Sequence, residues 1–200
     1  MSKEPNRYFI LNKPYNMVSQ FVSSHKVNLL GDLDFDFPEG THAIGRLDNN
    51  SEGLLLLTTN KKVTRLLFSS DEKHERVYLV QVNNILSQEN LQRLRSGVMI
   101  RIKGNENYTT PACDVTLIEH PETLYNFEKE ISKNYGPHTW LLITLTEGKY
   151  HQVRKMIAAV RHRCKRLIRV SIEDIQLKGL APGAVREMEE KDFFNKLRIG

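Results

Sequence analysis

The sequence contains no run of about 18 apolar residues, so no helix long enough to span a bilayer is expected and no membrane partner is predicted. It is also poor in cysteine. Cys113 and Cys164 lie far apart and match no metal-ligand spacing, so both read as reduced and structural rather than as a disulfide framework. Met1 to Arg7 lacks the apolar stretch of a secretory signal, which predicts a cytoplasmic protein. There is no internal repeat, low-complexity tract or clear linker, and 200 residues suffice for one good core and at most two small domains.

A local absence says more. No acidic residue occurs from Gly148 to Ile172, where Lys149, Arg154, Lys155, Arg161, Arg163, Lys165, Arg166 and Arg169 all fall. By contrast, Gly31 to Glu39 holds Asp32, Asp34, Asp36 and Glu39. The net charge of +5 is therefore concentrated, as contact with a phosphate backbone would require, although a solvated basic face is the bland alternative.

Along the chain, Tyr8 to Leu11 reads as a short buried strand stopped by Lys13-Pro14, and Met17 to Val22 as a second strand. Ser23 to Gly40 is loop-like. Leu54 to Thr58 suits a central strand buried on both faces, followed by a helix capped by Thr59 or Asn60 and carrying Val63, Leu66 and Leu67. Val77 to Val82 alternates, with Tyr78, Val80 and Val82 on one face. Ser87 starts a helix with Leu91 and Leu94 that Gly97 ends, and a β-rich stretch follows from Val98 to Glu119. His120 to His138 reads as a loop, and Trp140 to Thr146 as another strand.

Val153, Met156, Ile157 and Val160 recur at helical spacing, with His151, Arg154, Arg161, His162 and Lys165 roughly opposite. In the strand from Leu167 to Ile172, Ile168, Val170 and Ile172 face inward and Arg169 outward. The mixture predicts an α+β fold with a mostly antiparallel sheet.

Two segments are dense in chemistry. Gly45-Arg46-Leu47-Asp48-Asn49-Asn50-Ser51-Glu52-Gly53 is a polar loop directly before the buried Leu54 run, the kind of place where functional side chains sit. Spacing alone allows an ordinary Asx turn there. Glu147 to Met156 leads through a glycine turn into a helix whose start presents His151, Gln152 and Arg154, which suits a phosphate or carboxylate. A solvated basic helix face fits as well. No second His, Cys or carboxylate stands at ligand spacing from His151, so no metal is predicted.

Gly45-Arg46-Leu47-Asp48 with Ser51-Glu52-Gly53-Leu54-Leu55 resembles the aspartate motif of one family of RNA pseudouridine synthases. That family joins the type A enzymes of the small ribosomal subunit to the type B, E and F enzymes of the large one. Asn12-Lys13-Pro14 resembles its N-terminal motif, Arg76-Val77-Tyr78-Leu79-Val80 its tyrosine motif, and Glu147 to Met156 its third motif. Leu167 to Val170 and Leu180 to Arg186 resemble its ending. The motifs stand in family order over nearly the whole chain. Asn12 to Tyr15, Gln20-Phe21 and Ser51 look most like the E type, which modifies a single uridine in large-subunit ribosomal RNA. Lys149, where arginine is common, and the very basic Arg161 to Lys165 depart from the pattern.

The resemblance implies a single catalytic domain, 1–200, with two lobes around one cleft and no separate RNA-binding domain of the S4 type. It implies isomerisation of uridine to pseudouridine with Asp48 as nucleophile, Tyr78 stacked on the flipped base, and Arg154 paired with Asp48 to keep it ionised and oriented. Lys13, Arg46, Ser51, Gly53, His151, Gln152, Lys155 and Arg169 are then expected to contact RNA. An isomerisation calls for no cofactor and no metal, and a monomer is expected. A non-catalytic RNA-binding or ribosome-assembly protein is the first alternative. A glycoside-cleaving hydrolase using Asp48 and Glu52 as paired carboxylates is the second.

Overall fold

A computed structural model of the chain describes residues 5–68, 72–127 and 136–199. Its elements in chain order are β1 (Tyr8–Lys13), β2 (His42–Ile44), β3 (Glu52–Thr58), α1 (Val63–Phe68), β4 (Arg76–Asn83), α2 (Gln88–Ser96), β5 (Met99–Arg101) and β6 (Asn107–Thr109). There follow β7 (Asp114–Ile118), β8 (His138–Leu145), α3 (Gln152–Ala159), β9 (Cys164–Ile172), β10 (Ile175–Gln176), β11 (Val185–Met188) and α4 (Glu190–Leu197).

Among the described residues, nine strands form one sheet along the path β11-β1-β3-β9-β4-β8-β7, with β2 added to β3 and β10 to β9; β5 and β6 pair separately. β3 meets β9 in parallel, while the other pairings between these strands are antiparallel. The parallel junction is short, matching Glu52 with Ile168 and Gly53 with Arg169. It joins two antiparallel groups of strands, and the polar loop 45–51 opens immediately before it.

Gly53 makes the junction possible. Its φ is +99°, and a Cβ there would lie 2.3 Å from the Arg169 carbonyl oxygen and 2.8 Å from the Arg169 nitrogen. Only a residue without a side chain lets the strands approach so closely.

The Leu54 to Leu57 run is fully buried on both faces of β3, as its unbroken apolar pattern predicts. Each such leucine contributes about 1.5–3 kcal/mol relative to exposure. One face packs with Tyr8, Ile10, Val63, Leu67, Phe193 and Leu197, bringing α1 and α4 onto the sheet. The other packs with Phe9, Leu11, Met17 and Leu30, bordered by Leu33, Phe35 and Phe37. That border explains the acidic run: apolar residues alternate with exposed Asp32, Asp34 and Asp36, so the segment covers the sheet with one side and meets water with the other. A further core joins β4 and β8 to α2 and α3 through Val80, Val82, Leu91, Leu94, Leu141, Ile143, Met156 and Ile157.

Ser87 caps α2, accepting from the Asn90 amide, and Gly97 ends it with a φ of +98°. The Asn60 side chain accepts from the Lys62 amide at the start of α1. Two expectations need correction. Met17 to Val22 is not a strand: Met17 makes one bridge, to Asn28, and the segment turns instead beneath the polar loop. Leu66 is exposed on α1 while Val63 and Leu67 are buried. Part of the His120 to His138 loop lies outside the described residues; its described start buries Pro121, Tyr125 and Phe127.

Gly53→Ala combines a positive φ with a backbone overlap that no side-chain movement relieves. It is expected to destabilise the fold by about 3 kcal/mol or more in urea unfolding. A loss under about 1 kcal/mol would mean that the β3–β9 junction adapts freely.

Candidate active site

The loop carrying Asp48 is held from below by the turn that follows β1. The Ser19 hydroxyl, almost fully buried, accepts from the Leu47 amide at 3.0 Å and donates to the Leu47 carbonyl at 3.0 Å. One residue further on, the Asp48 carbonyl accepts from the Ser51 amide at 3.0 Å, and the Asn49 side chain donates to Asn16 Oδ1 at 3.2 Å. Lys13 organises the cradling turn itself. Its Nζ donates to the Pro14 carbonyl at 2.8 Å and the Met17 carbonyl at 2.6 Å. Asp48, its side chain one-third exposed, is thus fixed at its backbone while its carboxylate remains open to the cleft.

The opposing wall is the turn into α3. Gln152 ties that turn together: its Oε1 accepts from the Lys149 amide at 2.8 Å and its Nε2 donates to Glu147 Oε1 at 2.5 Å. Glu147 in turn accepts from the Tyr108 hydroxyl. His151 caps α3 from a left-handed backbone conformation, φ +55°, which costs a non-glycine residue about 1–2 kcal/mol. Strain of this kind is commonly kept where a side chain must point in one direction. Here it places His151 Nε2 3.4 Å from Asp48 Oδ1.

That contact corrects one expectation. Among the described residues Asp48 pairs with His151, not with Arg154. Arg154 instead donates through Nη2 to the Asn50 carbonyl at 2.7 Å and to Ser51 Oγ at 3.3 Å, clamping the end of the Asp48 loop. Its buried Nε has no hydrogen-bond partner.

The sheet supplies the floor. Tyr78 of β4 stands opposite Arg169 of β9, next to a register shift between Val77 and Tyr78. Such irregularities re-aim side chains and are frequent beside active sites. Tyr78, Arg169, Arg76 and Asp48 line one cavity of about 420 Å³, whose rim includes Arg46, Phe68, Lys149, Tyr150 and His151. From the sequence, Arg169 is expected to face outward and contact RNA. It is on the expected face but only 5% exposed, donating through Nε to the Leu54 carbonyl at 2.8 Å and leaving a buried Nη2 unpartnered.

Several other residues expected to contact RNA are engaged by the protein itself. Lys13 and Gln152 are buried and engaged by backbone and Glu147, Ser51 is buried under Arg154, and Gly53 is covered by the Arg169 backbone. All four help to build the site, and Ser51 and Gln152 also line its cavity. Arg46 is exposed, and Lys155 half-buried with its Nζ 5.3 Å from the Tyr150 ring. Sequence spacing did not single out Ser19, Phe68, Arg76 or Tyr150. Arg76 and Tyr150 lie inside the quoted motifs, two residues before Tyr78 and one before His151; nothing in the local pattern marks Ser19 or Phe68. The described residues contain no group of three or more His, Cys, Asp or Glu able to hold a metal ion.

Glu52 does not form a second reacting carboxylate. Its Oε1 and Oε2 accept from Arg166 Nε at 2.9 Å and Nη2 at 2.5 Å, and it is nearly fully buried. Nor does it line the cavity around Asp48. A two-carboxylate glycoside mechanism loses its partner for Asp48.

Burial pushes the Lys13 ammonium down to about 8, against the opposite pull of the Glu52 and Asp48 carboxylates. The folded value is below the ordinary 10.5, so the folded chain releases this proton first as pH rises. The cost of burying the charge is therefore complete below pH 8 and fades between pH 8 and 10.5. Relative to Lys13→Met, the wild type should gain about 2 kcal/mol between pH 7 and 9.5 in urea unfolding. A pH-independent difference would contradict the burial of a charged Lys13.

Residues 7–159 match the family described as RNA pseudouridylate synthase. A Xanthomonas axonopodis pv. citri protein named Ribosomal large subunit pseudouridine synthase E is 37% identical over 174 residues, covering 86% of this chain and 89% of that protein. A Vibrio parahaemolyticus protein of the same name is 34% identical over 184 residues, covering 92% of this chain and 74% of the relative. Among solved structures, one described as a pseudouridylate synthase aligns with a TM-score of 0.77 at 25% identity, over 98% of this chain and 75% of the other. Human RNA Pseudouridylate Synthase Domain Containing 1 shares the fold at 14% identity, with a TM-score of 0.58 over 93% of this chain and 80% of its own. With its Asp48 loop, Tyr78 strand and His151–Arg154 helix gathered around one cleft, this chain belongs to the RNA pseudouridylate synthase family.

Proposed function

We propose that this chain isomerises a uridine of large-subunit ribosomal RNA to pseudouridine, with Asp48 as the nucleophile. The observation that carries the reading is the Asp48 carboxylate at the wall of a 420 Å³ cavity, in a loop fixed on both sides, with Tyr78 and Arg169 on its floor. The large-subunit substrate is supported by relatives named Ribosomal large subunit pseudouridine synthase E, at 33–37% identity over most of the chain.

The reaction breaks the bond between C1′ of the ribose and N1 of uracil, turns the base, and rejoins it through C5. A uridine within a stack is out of reach, so it must first be flipped into the cavity, at a cost of a few kcal/mol. The Asp48 carboxylate then forms a covalent link with an electrophilic carbon of the nucleotide and later releases it. His151 holds one carboxylate oxygen, and Arg154 holds the loop through Asn50 and Ser51, so the nucleophile is oriented without its own backbone being free to move.

Tyr78, half-buried on the cavity floor, is the stacking surface for the flipped base and assists removal of the proton from C5. The unpartnered Nη2 of Arg169 is a donor for a uracil carbonyl, and its burial makes that hydrogen bond worth more than one at the surface. Arg46, Lys149 and Lys155, at or near the rim, meet the sugar-phosphate backbone. Every bond made and broken lies within the nucleotide and Asp48, so the chemistry calls for no cofactor. The chain is proposed to act as a single-domain monomer in the cytoplasm; no helix among the described residues is long and apolar enough to cross a membrane.

The test uses large-subunit ribosomal RNA transcribed with uridine tritiated at C5, because isomerisation must expel that label and binding cannot. The wild type should release tritium and Asp48→Asn should release none above background while still binding the RNA. Binding without release by the wild type, on naked RNA and on ribosome-assembly precursors alike, would leave a non-catalytic RNA-binding protein as the better reading.

A further inference from the structure

Among the described residues, Phe68 and Tyr150 are the exposed large hydrophobic side chains that line the cavity. Their situations differ. Phe68 is engaged by the protein: its ring lies where a Gly45 Cβ would meet it at 2.9 Å, and the Arg76 guanidinium stands 5.3 Å from its centroid. Tyr150 is 69% exposed. Its ring stacks on His151 with centroids 3.8 Å apart and planes 19° from parallel, and the Lys155 ammonium stands 5.3 Å from its centroid.

An exposed tyrosine has little reason to be held so firmly for stability. The stack fixes the ring in one orientation at the rim, and the His151 beneath it is itself set by a left-handed backbone and by its contact with Asp48. The arrangement is therefore an aromatic plate, continuous through His151 with the carboxylate, with Lys155 against it. On the cavity lining nearby is Lys149, whose ammonium stands 5.0 Å from the Tyr108 ring centroid. A plate of this kind, aromatic and bordered by cations, fits a nucleobase and the phosphate attached to it.

We propose that Tyr150 is a stacking subsite for the nucleobase adjacent to the uridine drawn into the cavity. The inference rests on the reading that the cavity receives a uridine of RNA. Flipping one nucleotide removes a stacking partner from its neighbour, and an aromatic ring at the rim replaces it. On the proposed reading the uridine lies on the cavity floor with Tyr78 and Arg169, which leaves the exposed Tyr150 ring to a neighbouring base. Lys155 is no obstacle, because a surface cation over a ring is a weaker contact than a stacked base and moves aside readily.

The test measures binding of two oligoribonucleotides of equal length and charge by fluorescence anisotropy. One carries ordinary bases on both sides of a single uridine; the other carries abasic riboses there. The wild type should prefer the first by about tenfold or more. Tyr150→Ala should bind both about equally, and Tyr150→Trp should restore the preference; circular dichroism checks that each variant is folded. In turnover of large-subunit ribosomal RNA, Tyr150→Ala should raise KM by a similar factor and change kcat less than about twofold. A wild type without the preference, or a Tyr150→Ala that keeps it, overturns the subsite. Tritium release by the wild type reports on the synthase reading separately. A Tyr150-dependent preference without release would sink that reading and leave the subsite standing.

Discussion

At Gly53 the backbone of β3 lies so close to β9 that a single methyl group would overlap the Arg169 carbonyl oxygen. This approach is the point at which two antiparallel groups of strands become one sheet, and everything in the cleft is referred to it. The Asp48 loop enters β3 immediately before the junction. Arg169 belongs to the other partner in the contact and, with Tyr78 beside it, forms the floor. A looser junction would separate Asp48 from the floor. Catalysis that depends on positioning tolerates such displacement poorly, since an error of about 1 Å can cost two orders of magnitude in rate.

The polar interior follows from the same geometry. Bringing two backbones together at the end of a cleft buries charged groups, and each has found a partner suited to its position. Glu52 and Arg166 make a bidentate pair, Lys13 directs its ammonium at two carbonyls, and Arg169 holds the Leu54 carbonyl. Buried charges without such partners would be very costly. Among the described residues four buried side-chain atoms lack a partner, Asn12 Oδ1, His74 Nε2, Arg154 Nε and Arg169 Nη2, and the two arginine donors belong to side chains beside the Asp48 loop or on the cavity floor. An unsatisfied buried donor in a cleft is an invitation to an acceptor, and a uridine carries several.

Much of this was legible in the residues. The unbroken Leu54–Leu57 run announced a doubly buried central strand, Ser87 and Gly97 marked the ends of α2, and the Val153–Ile157 spacing placed α3 on the core. Asp48 and Tyr78 fall in motifs, and the fold brings both motifs to one cavity. What escaped was decided by long-range packing. Spacing puts Lys13 and Arg169 on a face but cannot say that the face is covered. The family resemblance implied Arg154 as the partner of Asp48, whereas a left-handed turn at His151 brings the imidazole closer. Met17 to Val22 looks like a strand by composition, yet its backbone bonds to Asn28 and Leu30 and its Ser19 hydroxyl to the Asp48 loop.

The central claim is that Asp48 forms the covalent link. Fluorine in place of hydrogen at C5 blocks the final proton loss, which retains a link to C6 of the ring. By withdrawing electrons it also slows the rejoining of C5 to the ribose, which retains a link to C1′. In either case the enzyme–nucleotide link should accumulate on RNA containing 5-fluorouridine. Mass spectrometry of the digested complex should then show the nucleotide attached to the peptide carrying Asp48, and no attachment in Asp48→Asn. An adduct on another side chain, or one that survives in Asp48→Asn, would contradict the account.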